Sequence, residues 1–150
     1  MARKRLIDNI LLFFATCGFI GYLPFAPGTW ASLLAMVLIF IFPGVLGSIV
    51  FAALFALFAV ICVNLLRYGE KDPSYIVIDE FAGMFVAIAG HQVTITNVII
   101  GFVLFRVFDI LKPYPIRRVE RLKKGYGVVA DDVLAGIFAN AILLLWWSFT

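Results

Sequence analysis

Charge is scarce in this chain. Only 14% of its 150 residues are Asp, Glu, Lys or Arg, against roughly 25% in soluble globular proteins. With 64% hydrophobic residues and a mean hydropathy of +1.08, this excludes an ordinary water-soluble domain and points to an integral membrane protein. Histidine is nearly absent: the single His91 lies far from the basic residues, so a histidine nucleophile is not expected. Cys17 and Cys62 both sit in apolar runs and form no CxxC or Cys/His metal pattern. They are expected to be free buried thiols that pack as small hydrophobes. Cys62 and Arg67 are one residue too close for a Cys-x5-Arg loop, and no GxxxxGK[ST] loop is present. There is no internal repeat and no low-complexity tract.

What the chain does have is a series of apolar runs. The start, MARKRLIDNILLFFATCGF, looks like a secretory signal but lacks a small-residue cleavage site, and is expected to be retained. Apolar runs cover 6–20, 30–42, 46–66, 75–89, 95–112 and 128–149. The run at 46–66 is the clearest crossing helix by length. Proline and glycine break the chain at GYLPFAPGTW and at Pro43-Gly44. Threading the runs back and forth puts every Lys, Arg, Asp and Glu near one face, which the positive-inside rule makes cytoplasmic. The other face receives Pro43-Gly44, His91 and the Trp-rich C-terminal end. If 6–20 crossed fully, the loop after it would fall on the wrong side. The first segment is therefore expected to be interfacial or re-entrant, with Arg3, Lys4 and Arg5 near anionic headgroups. The predicted architecture is all-α: one domain over 1–150, a compact polytopic transmembrane helix bundle.

Acids inside apolar runs are the informative residues. Asp79-Glu80, Asp109 and Asp131-Asp132 come from three runs and lie at similar depth near the charged face. A buried aspartate costs about 2.5–3.5 kcal/mol at a bilayer centre, and crowded carboxylates repel. A hard divalent cation offsets both costs, and Mg²⁺ favours oxygen ligands. Ion pairing with nearby Arg and Lys is the competing account. The helix dipole favours acids at helix starts, which would suit Asp131 and Asp132 but not Asp109.

Two further stretches suggest phosphate binding. In FRVFDILKPYPIRR, Arg106, Asp109 and Lys112 are spaced by three and share a helical face. Pro113 then stops the helix, and Arg117 and Arg118 follow as candidate substrate contacts. Arg121, Lys123 and Lys124 read more simply as a positive-inside anchor. In PFAPGTW, Thr29 is expected to cap a helix starting near Trp30, and Gly28 allows a ligand to approach the backbone.

Four stretches, YLPFAPGTWAS, DPSYIVIDEFAGM, FRVFDILKPYPI and GVVADDVLAG, together resemble the phosphatidylglycerophosphatase A family in order and spacing. The resemblance runs from about residue 22 to 136. The family's glycine-rich turn followed by methionine reads KKGYGVVADD here, with Val129 in place of methionine. The resemblance implies a Mg²⁺-dependent lipid phosphatase acting on the terminal phosphomonoester of phosphatidylglycerophosphate, on the cytoplasmic side of the bacterial inner membrane. By motif, Asp72, Asp79, Glu80, Asp131 and Asp132 would hold metal. Asp79, Asp109, Asp131, Arg106 and Lys112 would act in catalysis, and Gly28, Thr29, Arg117 and Arg118 would bind substrate. A magnesium-activated water is the expected nucleophile, with a covalent aspartyl-phosphate as the alternative. The partners expected are the phospholipid and the membrane, with no nucleic acid and no obligate protein partner. A small cation transporter or channel using the acidic cluster is the competing function, and a structural membrane subunit is a third.

Overall fold

A computed structural model describes residues 2–66, 73–122 and 125–148. Among these residues the chain is helical throughout, with no strand: α1 (Ala2–Ala15), a 3₁₀ turn (Ile20–Tyr22), α2 (Pro27–Ile41), α3 (Pro43–Leu46), α4 (Ile49–Leu65), α5 (Ile78–Ile88), α6 (Ile95–Leu111), α7 (Ile116–Val119) and α8 (Gly125–Ser148). Local chemistry sets the boundaries. Pro27 opens α2 at the first helical position, where its missing N–H costs nothing. Ser48 caps α4, its hydroxyl accepting from the Phe51 N–H at 3.1 Å. Thr94 caps α6 by accepting from the Asn97 N–H at 3.2 Å. Lys112 ends α6 in the left-handed region at φ 43°, and Pro113 prevents continuation.

Three boundaries differ from the sequence expectation. The run at 46–66 is cut by α3 and the Ser48 cap, leaving α4 with 17 residues, or about 26 Å. Instead α8, at 24 residues, is the helix among the described residues that is long and apolar enough to cross a bilayer. It begins at Gly125 rather than near 128. Helix α2 begins at Pro27, so Thr29 is inside it and is not its cap. The apolar helices α2 and α4 are shorter, at 15 and 17 residues.

Helix α5 is the centre of the bundle: nine of its eleven residues are buried, and it packs on α2, α4, α6 and, most extensively, α8. The α5–α8 contact is close because glycines face each other. A Cβ on Gly136 would collide with the Gly83 carbonyl oxygen, and one on Gly83 would lie 2.8 Å from the Asp132 carbonyl. Further along, the Asn140 amide reaches the carbonyls of Val86 (3.0 Å), Ala87 (3.2 Å) and Ala89 (2.8 Å), closing the end of α5. These pairings make α5 and α8 parallel. Phe51, Phe55, Phe81 and Phe85 fill the α4–α5 interface with edge-on and stacked rings.

The N-terminal segment turns back on itself. Cys17, Gly18 and Phe19 take successive left-handed conformations after α1. The Ala15 carbonyl accepts from the Val77 N–H at 2.9 Å, and Gly21 packs against the Tyr75 carbonyl. The loop before α2 thus returns to the end of the bundle where α5 begins. Both cysteines are free; the Cys62 thiol donates to the Leu11 carbonyl at 3.3 Å, tying α4 to α1.

Candidate active site

Helices α2, α5 and α8 start at the same end of the bundle, and α6 finishes there. The parallel α5 and α8 carry the same spacing, a carboxylate four residues before a glycine: Asp79 before Gly83, and Asp132 before Gly136. One helical turn beyond the glycine contact, the carboxylates must therefore meet. Oxygens of Asp79, Glu80 and Asp132 all lie within 4.8 Å of one another. Asp79 and Asp132 are buried, at 8% and 4% exposure. Glu80 rests against Gly28 of α2, where a Cβ would occupy the space of its carboxylate. Asp79 Oδ1 and Glu80 Oε2 are buried without a hydrogen-bond partner among the described residues. Leaving such atoms unpaired is costly, and an all-oxygen donor set with orphaned lone pairs fits a hard cation.

Two basic side chains close the cluster. Arg106 pairs with Asp109 at 2.6 Å and reaches Ser32 Oγ (3.4 Å) and Thr29 Oγ1 (3.3 Å) on α2. Ser32 in turn donates to the Gly28 carbonyl at 2.8 Å. The Lys112 ammonium lies 2.6 Å from Asp131 and 3.0 Å from Glu120. Burial works against its charge, but the hydrogen bonds and attraction of Asp131 and Glu120 prevail and raise its pKa above the ordinary lysine value. A cavity of about 300 Å³ is lined by Gly28, Asp79, Glu80, Arg106, Asp109, Lys112, Asp131 and Asp132, with Ile76 and Val128 as apolar wall. Its lining combines oxygen donors with two cations, which suits a metal-bridged phosphate.

A family model described as Phosphatidylglycerophosphatase A matches residues 13–147. The chain belongs to that family. It is 40% identical over 135 residues to a Bacteroides thetaiotaomicron protein provisionally named phosphatidylinositol-3-phosphatase, covering 82% of this chain and 84% of the relative. It is 39% identical to a phosphatidylglycerophosphatase A from Haemophilus influenzae (79% and 77% covered). It is 35% identical to one from Escherichia coli (82% and 75% covered). No solved structure matches the chain.

Membership in this phosphatase family sits on a site that sorts the sequence candidates into groups. All five acids line one cavity: oxygens of Asp79, Glu80 and Asp132 converge, Asp109 lies against both Arg106 and Asp132, and Asp131 is paired with Lys112. Asp131 and Asp132 are nearly two turns inside α8, whose first turn holds no acid. The helix dipole, which fades within the first turn, does not account for them. Gly28 and Thr29 reach the site as a close backbone approach and as an Arg106 partner. Arg117 and Arg118 are exposed on α7 and are not among the cavity's lining residues. Asp72, Lys123 and Lys124 lie outside the described residues. Sequence reasoning missed Ser32, which is 74 residues from Arg106, and Glu120, whose contact with Lys112 depends on the turn between α6 and α7. His91 lines a separate cavity of about 270 Å³ with Asn97 and Trp147, near the C-terminal end of α5.

Proposed function

We propose that the protein hydrolyses the terminal phosphomonoester of phosphatidylglycerophosphate, releasing phosphatidylglycerol and inorganic phosphate. The observation that carries this reading is the meeting of three carboxylates from α5 and α8, with Asp79 and Asp132 buried and Glu80 half-buried, in a cavity that Arg106 and Lys112 also line. Two relatives are named for that substrate, and the third for another lipid phosphomonoester. Asp79, Glu80 and Asp132 would hold a Mg²⁺ ion. Bound magnesium would neutralise phosphate oxygens and acidify water. Arg106, fixed by Asp109, Ser32 and Thr29, holds the phosphate by its guanidinium fork. Lys112 pairs with the equatorial oxygens, in the bound substrate as in the transition state. Water attacks phosphorus in line, the bond to the glycerol oxygen breaks, and that oxygen takes up the proton that the attacking water gives up. Direct attack by water is favoured over an aspartyl-phosphate. Each of the five clustered carboxylates either shares the oxygen cluster or is engaged by a cation, which makes it a poor nucleophile.

The same reading places the bundle in the bacterial inner membrane, with the cavity at the cytoplasmic interface. Exposed apolar side chains form continuous stripes on α4 (Val50, Leu54, Leu57, Ile61, Leu65) and α6 (Ile95, Ile99, Val103, Val107, Ile110), far beyond what a soluble surface carries. Arg106, Lys112, Arg117, Arg118 and Arg121 cluster in sequence around the acid end, as the positive-inside rule requires of a cytoplasmic face. Cation transport is disfavoured: among the described residues Met84, Ile88, Phe105 and Leu143 are buried in the apolar core of the bundle, where a cation path would need polar groups.

The test is phosphate release by the purified protein from phosphatidylglycerophosphate and, in parallel, from phosphatidylinositol 3-phosphate. Activity on the first should vanish with EDTA, return with Mg²⁺, and be lost in a folded Asp132→Asn variant. Preference for the inositol lipid would overturn the substrate, and full activity in EDTA would overturn the metal site.

A further inference from the structure

The Lys112 ammonium is held from two sides. Asp131, on α8, contacts it at 2.6 Å from a buried position, and Glu120, at the end of α7, contacts it at 3.0 Å with 41% of its side chain exposed. The Lys112 backbone is left-handed at φ 43°, a conformation that a non-glycine residue keeps only where its surroundings over-determine it. A lysine ammonium has three N–H donors; among the described residues two are directed to these acids, and one is left for the cavity that Lys112 lines. Asp131 alone fixes how far the ammonium sits from α8 but lets it pivot on a long flexible stem. The second contact, from across the α6–α7 corner, removes that pivot. Glu120 is not among the residues lining the cavity, so it reaches substrate only through Lys112.

We propose that Glu120 is a positioning residue that aims the free N–H of Lys112 at the phosphomonoester and thereby sets the affinity for substrate. This rests on the reading of the cavity as a phosphate site. Substitution should therefore act on KM. Glu120→Ala is expected to raise KM for phosphatidylglycerophosphate about five- to tenfold with kcat changed less than about twofold, the signature of lost uniform binding. Glu120→Gln keeps an acceptor oxygen and should recover part of the loss, which also guards against a folding defect in the alanine variant. The double variant Lys112→Met/Glu120→Ala should match Lys112→Met alone, since residues that act through one another are non-additive. Additive losses, or a fall in KM that would mark Glu120 as a competitor of phosphate, would overturn the proposal. A second readout needs no substrate: acetylation of Lys112 by acetic anhydride, followed by mass spectrometry, should be faster in Glu120→Ala than in wild type. An unchanged rate sinks the tether. Accelerated labelling in a protein that fails to hydrolyse the lipid sinks the phosphatase reading instead and leaves the tether standing.

Discussion

The substitution Gly136→Ala tests whether helix packing builds the active site. A methyl group on Gly136 would overlap the Gly83 carbonyl oxygen and approach Val86 Cβ to 3.1 Å. The obstacle is backbone, so a rotamer change cannot relieve it. Restoring an ordinary carbon–oxygen separation of about 3.3 Å requires α5 and α8 to part by roughly 1 Å. Overpacking of this kind costs about 1–3 kcal/mol of stability. The catalytic effect should be larger, because Asp79 and Asp132 lie one turn from the two glycines and move with them. A misplacement of about 1 Å typically costs about 10²-fold in rate. The assay is phosphate release against Mg²⁺ concentration, alongside thermal unfolding in the same detergent. The expected result is a weaker magnesium response and a rate lower by about two orders of magnitude, with a modest fall in melting temperature. Wild-type activity and magnesium dependence in Gly136→Ala would refute the claim that the glycine contact sets the carboxylate spacing.

Arg106→Lys should lower kcat/KM by about tenfold or more, because an ammonium cannot replace a fork directed at Asp109, Ser32 and Thr29 at once; kinetics near wild type would show that charge alone suffices. Val103→Asp places a carboxylate mid-way along the exposed stripe of α6, where Val103 is 51% exposed. If that face meets lipid, the change costs about 2.5–3.5 kcal/mol and membrane-fraction yield should fall sharply, whereas an undiminished yield would argue that α6 does not face the bilayer.

Some of the site was legible in sequence because its determinants are local. The Arg106–Asp109 pair follows from a spacing of three on one helix, and the intrusion of acids into apolar runs marked them as functional. Helix ends were read less well. Thr29 resembles a cap, but Pro27 starts α2 earlier and turns Thr29 inward to Arg106. Ser48, read as part of an apolar run, cuts α4 short. The division of the acids was not legible at all. Lys112 and Asp131 are 19 residues apart, and they meet only because Lys112 turns left-handed where α6 ends and α8 packs beside it.

Composition and periodicity by themselves determined that this chain is helical, apolar and charged at one end, since each of those properties is a sum over neighbouring residues. Tertiary structure decided which acids converge on one another and which are tied to a base. That choice depends on the facing of Gly83 and Gly136, two residues without side chains, whose importance lies in how closely they let two distant backbones approach.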